Sequence, residues 1–562
     1  MIELNDTLHP YGIDPKYSTK VAYFSMEFAI HQALKIYSGG LGFLSGSHMR
    51  SAYELKQNMI GIGILWSYGY YDQGRDEHRN LKVDFRRKRY YFLEDLNIKV
   101  TVTINSKPVV VKAHLLPSHV FSTAPVILLS TDVEENDYLS RTITHKLYDS
   151  NNETRIAQEI VLGIGGAKVL EALNYQAQIY HMNEGHALPL AFELYNKYQD
   201  FQKVKEKVVF TTHTPETAGN EEHNVYLLHK MGFFSQASLQ TIQSFFELTN
   251  DQFSLTIGAL KVAKRANGVS KMHGDVANEM WNHINNRCEI TYITNAQNKS
   301  YWTDKELIKV FSEHEDYSLE ARKKHLKRVL FDEIANQTGK MFDPEVLTIV
   351  WARRFADYKR PGLLKYDFER FEKMIKNSSM PVQIIWAGKP YPFDTGAINL
   401  FNEIFHIARN YKNIAVLVGY ELRLSMMLKK GADVWLNTPR ITREASGTSG
   451  MSAAMNAAIN VSMPDGWHPE FCQEGLNSFT IPAVAKDLPI EEQDRLDNES
   501  LMDILENKVI PVYYKEKKHW LEMMKNSIQS VIPAFDSGRM AHEYYIKLYD
   551  YTKENNDGST EV

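Results

Sequence analysis

Short apolar runs that break off into polar or glycine-containing loops recur along the chain in two series, and no other feature restricts the fold as much. The first series is KVAYFSME (20–27), QIYHMNEGH (178–186), KVVFTTHTP (207–215) and GVSKMHG (268–274). The second is VLTIVWARR (346–354), VQIIWAGKP (382–390), IAVLVGYE (414–421) and ADVWLNTP (432–439). Runs of this length, apolar on both alternating faces and separated by helical stretches, have the pattern of parallel strands buried on both sides of a sheet. Two series predict two doubly wound α/β domains, and in such domains ligands sit beyond the carboxyl ends of the strands. The charged helical stretch 304–340 closes the first, so the first domain is expected over 1–340 and the second over 341–562, ending in helices. NIKVTVTINSKPVVVKAHLL (97–116) departs from this rhythm: it alternates with period two around Asn-Ser-Lys-Pro and predicts a β-hairpin insertion in the first domain, within 84–130.

Composition narrows the function. With 43% hydrophobic and 24% charged residues among 562, the chain is globular and large enough for a substantial core. A net charge of −5 offers no overall basic field, which argues against a nucleic-acid partner and leaves any anionic substrate to a local cluster. Two cysteines, Cys288 and Cys472, provide neither a disulfide framework nor metal-ligand spacing and suit a reducing compartment. No run reaches about 18 consecutive apolar residues and the first twenty residues carry no leader pattern, so the expectation is a cytoplasmic protein with no membrane partner.

The strand ends carry the chemistry. YSGGLGFLSGSHMRSAYEL (37–55) is a glycine-rich turn running into a helix; Gly39, Gly40 and Gly42 suit amides converging on a phosphate, or a tight turn with close backbone packing. LGIGGAKVLEAL (162–173) misses the dinucleotide spacing and reads as a helix packed through its glycines. WARRFADYKR (351–360) brings Arg353, Arg354, Lys359 and Arg360 to a strand end, where a guanidinium fork and an ammonium form a phosphate clamp or a solvated loop; the basic run 86–89 reads as surface. His213 follows a strand in FTTHTPETAG and is catalytic or structural. HMNEGH (181–186) gathers His181, Glu184 and His186 without the spacing of a zinc helix, so no metal ligand is assigned. EASGTSGMSAAMN (444–456) follows a buried strand and predicts a glycine loop opening into a helix with Met451, Met455 and Ala458 on one face, its amides available to an anion and Glu444 to hydroxyl groups.

Taken together, YFSMEF, IYSGGLG, HMNEGHA, FTTHTP, VSKMHG, ITNA, RRFADYKR, DVWLNTP and EASGTSGM, in this order from about residue 20 to about 520, resemble the motifs of the α-glucan phosphorylases, in particular the short bacterial members. The resemblance implies a GT-B fold, two Rossmann-like domains facing across a cleft. It implies reversible, retaining transfer of a glucosyl unit between an α-1,4-glucan or maltooligosaccharide and orthophosphate, with glucose 1-phosphate as product. Position by position it puts Gly39 and Gly40 beside the phosphate, His213, Asn295, Glu444, Ser446, Gly447 and Thr448 around the glucosyl unit, and the His213 carbonyl opposite the developing positive charge. Arg354 and Lys359 would bind the substrate's or the cofactor's phosphate, Tyr358 would line the site, and Gly450 would lie at the cofactor. A homodimer is an assembly the resemblance allows.

Two positions depart from the pattern. The family holds pyridoxal phosphate as a Schiff base on a lysine one residue after the Met of the glycine motif; here that residue is Ser452, whose hydroxyl forms no imine, and the nearest lysines in sequence are Lys430 and Lys486. Ser47 stands where short members carry Asp. Three readings stay open: a phosphorylase that binds pyridoxal phosphate without a covalent bond or works without it, a GT-B transferase using a nucleotide sugar, and a silent glucan-binding protein.

Overall fold

The computed structural model describes residues 8–215 and 220–550. The last four residues of FTTHTPETAG and the polar C-terminal stretch KENNDGSTEV (553–562) lie outside that range. Within it the chain forms two compact units, one of residues 8–70, 85–295 and 537–550, the other of residues 71–84 and 296–536.

The first unit is built on a nine-stranded sheet. Its strands are β1 (Val21–Phe24), β2 (Met59–Ile64), β3 (Glu94–Ile104), β4 (Lys107–Leu116), β5 (Val126–Ser130), β6 (Ile179–Asn183), β7 (Val208–Thr211), β8 (Arg265–Gly268) and β9 (Glu289–Tyr292), in the order β9-β8-β7-β6-β1-β2-β5-β4-β3. The pairs from β9 to β5 are parallel, and β5-β4 and β4-β3 are antiparallel. Burial explains the two sequence rhythms. Strands β1, β2 and β5 to β8 are buried at every residue, whereas the edge strand β3 alternates exposed with half-buried or buried residues and β4 alternates buried with half-buried ones. The expected hairpin is present as β3 and β4, and it extends the main sheet. Asn105 and Ser106, with φ of 49° and 63°, make the two-residue turn, and Lys107 and Pro108 already belong to β4. GVSKMHG differs from expectation: only Gly268 closes a strand, and Lys271 opens the helix Lys271–Met280. The glycines of 162–173 do pack a helix, since a Cβ at Gly163 would lie 2.5 Å from the Leu190 amide and one at Gly166 2.6 Å from the Phe24 ring.

The second unit has a six-stranded, all-parallel sheet: β10 (Leu347–Ala352), β11 (Val382–Ala387), β12 (Ile414–Leu417), β13 (Val434–Asn437), β14 (Ile459–Ser462) and β15 (Ser478–Thr480). Their order, β12-β11-β10-β13-β14-β15, is the doubly wound 3-2-1-4-5-6 arrangement of a Rossmann-like sheet.

The boundaries of the units differ from the expected break near 340. The long helix Asp316–Thr338 belongs to the second unit, where Leu330, Phe331 and Ile334 share an apolar cluster with Val350, Ala352, Ile385 and Ala387. The chain then returns to the first unit at Ser537: the hydroxyls of Ser51 and Ser537 lie 2.6 Å apart, and Gln57 Nε2 donates to the Ala541 carbonyl at 3.1 Å. Residues 71–84 pack with the second unit, where Tyr71 donates to the Pro390 carbonyl at 2.9 Å and Gln73 Nε2 to the Gly388 carbonyl at 2.8 Å. Among the described residues no helix is long and apolar enough to cross a membrane.

Candidate active site

In the first unit the loops after β1, β6, β7 and β8 make one hydrogen-bonded cluster. The His213 amide donates to Glu184 Oε2 at 2.7 Å and the Thr214 hydroxyl donates to the same oxygen at 3.5 Å, so the amide of His213 and the side chain of the next residue meet one carboxylate. His213 Nε2 lies 2.8 Å from Asn183 Oδ1, which puts the ring proton on Nε2, and Asn183 Nδ2 donates to the hydroxyls of Ser25 and Ser45, each at 3.2 Å. Burial, with a smaller push from His273 and His186, lowers His213 to about 3, so its imidazole is neutral at physiological pH. Burial also raises Glu184 to about 7, against the His213 and Gly185 amides that favour its charged form. Glu184 itself has φ of 77°, a left-handed conformation that costs energy for a residue with a Cβ and aims its carboxylate at the His213 backbone. Asn295 is buried after β9, its amide donates to the Val269 carbonyl at 2.9 Å, and its Oδ1 has no hydrogen-bond partner among the described residues.

At the glycine loop 37–40, open to reading as a phosphate cradle or a tight turn, the amides meet a carboxylate of the same unit. Glu27 Oε2 accepts the amides of Ser38 at 2.6 Å and Gly39 at 3.1 Å, so an internal carboxylate takes the anion position. Gly40 opens the helix Gly40–Glu54, and a Cβ on Gly39 or Gly40 would meet nothing within 4 Å. Gly42 has a packing reason, for a Cβ there would lie 2.7 Å from Glu27 Oε2 and from Tyr37 Cβ.

In the second unit the loop after β13 carries Glu444, whose Oε2 accepts from Arg353 Nη2 at 2.9 Å and from Lys359 Nζ at 2.7 Å. Burial alone would raise this carboxyl, but Lys359, Arg353 and Arg354 outweigh it and hold Glu444 at about 2, fully ionised. Asp465, after β14, accepts the Glu444 amide at 2.9 Å; burial and the Glu444 charge raise it to about 7. The 3₁₀ turn Asp357–Lys359 places Tyr358, whose ring lies 4.9 Å below Lys359 Nζ and whose carbonyl accepts the Arg440 amide at 2.7 Å. Gly447 sits at φ of 75°, the left-handed conformation that glycine alone adopts without strain, with Glu444 Cγ 3.4 Å from where its Cβ would be. The Ser446 carbonyl accepts the Trp467 amide at 3.0 Å and fixes the turn.

The helix after this loop is shorter than its sequence pattern predicts. It covers Ser449–Ala454, capped by Thr448, and Met455 and Ala458 fall beyond it; Met451 and Met455 pack with Trp467, Phe471 and Phe535, and Ala458 in a different cluster. Gly450 is required by packing, since a Cβ would lie 2.5 Å from Asn460 Oδ1. Ser452 is buried and its hydroxyl donates back into its own helix, to the carbonyls of Thr448 at 3.1 Å and Ser449 at 3.2 Å.

The strand-end pattern offers Arg353 and Arg354 alike to a phosphate clamp, and the resemblance singles out Arg354. Arg353 is the buried one, with Nε and Nη1 lacking hydrogen-bond partners among the described residues, whereas Arg354 is exposed. Successive residues leaving a strand point to opposite faces, so one arginine of the pair had to turn inward, and sequence does not say which. Glu184, Asn183, Glu27 and Asp465 also went unassigned. Asp465 had a signal, a Pro-Asp-Gly turn directly after an apolar run.

Residues 251–481 match the family model of the carbohydrate phosphorylases. A maltodextrin phosphorylase of Thermococcus litoralis is 32% identical, over 96% of this chain and 72% of its own length, and a glycogen phosphorylase of Aquifex aeolicus is 31% identical, over 95% and 86%. This chain belongs to the carbohydrate phosphorylase family. An uncharacterised protein of Methanocaldococcus jannaschii is 48% identical over 94% of this chain and 99% of its own, so the form seen here recurs at nearly the same length. Phosphorylases of this kind are glycosyltransferases of carbohydrate metabolism and normally use pyridoxal phosphate. Ser452, where the resemblance puts the imine lysine, has a hydroxyl that forms no imine and is bonded within its own helix turn, so this residue does not fit a covalent cofactor.

Proposed function

We propose that this phosphorylase homologue transfers glucosyl units, with retention, between an α-1,4-glucan or maltooligosaccharide and orthophosphate, forming glucose 1-phosphate on a GT-B framework. The observation that carries the reading is the buried Arg353. It spends Nη2 on Glu444 and keeps Nε and Nη1 without partners, beside Lys359, in a family whose named members act with phosphate. Spare donors on a desolvated guanidinium call for an anion, and a tetrahedral oxyanion accepts from Arg353, Arg354 and Lys359 together. Glu444, held ionised, accepts hydrogen bonds from sugar hydroxyls with Gly447 giving it room, and Ser446 and Thr448 complete the loop.

The first unit supplies neutral groups for the sugar. Asn295 Oδ1 is an acceptor awaiting a donor, and the neutral imidazole of His213 offers hydrogen bonds without competing for phosphate. The His213 residue, held at its amide by Glu184, would present its carbonyl dipole to the positive charge that develops on the glucosyl ring, an electrostatic contribution that needs no reorganisation during the reaction.

One observation favours a second donor. With a serine at position 452 no imine forms, and the Arg354 and Lys359 pair would equally clamp a nucleotide sugar's diphosphate. The test incubates the protein with maltoheptaose and phosphate, with and without added pyridoxal phosphate, and in parallel with UDP-glucose and ADP-glucose plus maltoheptaose. Glucose 1-phosphate in the first arm supports phosphorolysis, consumption of a nucleotide sugar supports the second donor, and glucan binding with neither reaction leaves a silent binder.

A further inference from the structure

Three further ligand-type side chains meet in the first unit: Glu159, from the helix Asn152–Ile160, Glu221, which precedes the short strand Glu222–Asn224, and His223 within that strand. One oxygen of each glutamate and one ring nitrogen of the histidine all lie within 4.8 Å of one another. Glu159 is wholly buried and His223 is 7% exposed. Both oxygens of Glu159, Oε2 of Glu221 and Nε2 of His223 are buried without a hydrogen-bond partner among the described residues. The only cation bonded to the cluster there is Arg155, one turn before Glu159, and it takes the other oxygen of Glu221, Oε1. Two carboxylates and an imidazole therefore converge around a shared gap with a single guanidinium among them.

We propose that Glu159, Glu221 and His223 bind one divalent first-row transition-metal ion of the zinc type. A buried group of acceptors without donors is unfavourable unless a cation joins it. The donor set selects the ion: magnesium and calcium take oxygen ligands, whereas one imidazole nitrogen with carboxylate oxygens suits zinc and its neighbours. Glu221 is partly exposed, which gives the ion a way in from solvent. The role is structural, for the ion would fasten the chain that leaves the His213 loop to a helix of the unit's interior. The fastening continues beyond the ion. Arg155 stacks 5.0 Å from the Tyr148 ring, the Tyr148 hydroxyl donates to Glu27 Oε1 at 2.8 Å, and Glu27 Oε2 holds the Ser38 and Gly39 amides. The proposal does not depend on which donor the transferase uses.

Without an ion the same residues would share a proton between Glu159 and Glu221, and experiment separates the two. Full-length protein is stripped with a chelator, dialysed against buffered zinc and assayed by elemental mass spectrometry and calorimetric titration. One zinc per chain is expected, with affinity at least a hundredfold lower in Glu159→Gln and in His223→Ala, and a zinc-dependent rise in melting temperature confined to the wild type. Because a variant could fail to fold, anomalous scattering at the zinc edge from zinc-soaked wild-type crystals gives an independent readout, with a peak bounded by Glu159, Glu221 and His223 expected. No retained zinc, equal zinc in wild type and both variants, or a peak elsewhere overturns the site and leaves the shared proton.

Discussion

The strand ends of the two units solve opposite electrostatic problems. In the first, burial strips charge away: His213 is lowered to about 3 and stays neutral, and Glu184 is raised to about 7 and half gives up its charge. In the second, comparable burial is overruled by cations, and Glu444 is held at about 2. The difference lies in partners more than in depth. His213 faces an amide oxygen and Glu184 faces backbone amides, whereas Glu444 faces an ammonium and a guanidinium. Desolvation decides where the hydrogen-bond partners are dipoles, and opposite charges decide where they touch. One strand end thereby carries neutral hydrogen-bonding groups, the other an ionised cluster.

The comparison breaks most easily at Lys359. Lys359→Met removes one of the two cations that Glu444 touches, and breaking a buried pair of this sort costs about 3 kcal/mol in chemical denaturation, with at least a tenfold fall in transferase rate. An unchanged rate would show that the second unit's ion pair is scaffolding only. Arg354→Ala sharpens the same point, because Arg354 is exposed: a tenfold or larger loss of activity is expected, with stability within about 0.5 kcal/mol of wild type. Steady-state kinetics paired with urea melts read the gap between the two effects, and equal damage to both quantities would contradict a role in phosphate binding.

The neutral side of the comparison is tested by pH. Glu184 goes from 4.5 to about 7 on folding, so between these values the folded protein holds a proton that the unfolded chain has lost. Its contribution to stability is present below about pH 4.5, declines as pH rises toward 7 and levels off above it. Because buried histidines such as His213, lowered to about 3, contribute with the opposite sign below about pH 6.5, the decline is read as the difference between wild type and Glu184→Gln in urea melts from pH 5 to 8. A Glu184→Gln profile parallel to wild type would mean that the carboxylate is ionised in the fold. The smallest effect is expected at Ser452, whose hydroxyl only bonds its own helix turn: Ser452→Ala is expected to change stability by less than about 1 kcal/mol and leave the rate unaltered.

Much of the scaffold was legible in the chain. All four runs of the second series are strands, and Asn105-Ser106 closes a hairpin where period-two alternation predicted one. What stayed hidden was partnership. The pattern of 304–340 says helix and cannot say which sheet the helix covers, and the return of the chain at Ser537 to the helix Gly40–Glu54 leaves no local mark. At the site, His213, Lys359 and Glu444 announced themselves by standing at strand ends in motifs. Glu27 was quoted within such a motif, yet its hold on the Ser38 and Gly39 amides joins residues whose contact no spacing reveals. Glu159 and Glu221 meet across even more of the chain, and no motif or spacing marks their contact.

The central claim is that an ionised clamp of Arg353, Lys359 and Glu444 serves this phosphorylase relative without the family's covalent cofactor. Borohydride reduction of the purified protein after incubation with pyridoxal phosphate, followed by peptide mass spectrometry, tests it most directly. The account predicts no pyridoxyl-lysine in any peptide of either unit and no imine absorption band before reduction. A stoichiometric adduct on a lysine of the second unit would contradict it and restore the family's usual chemistry.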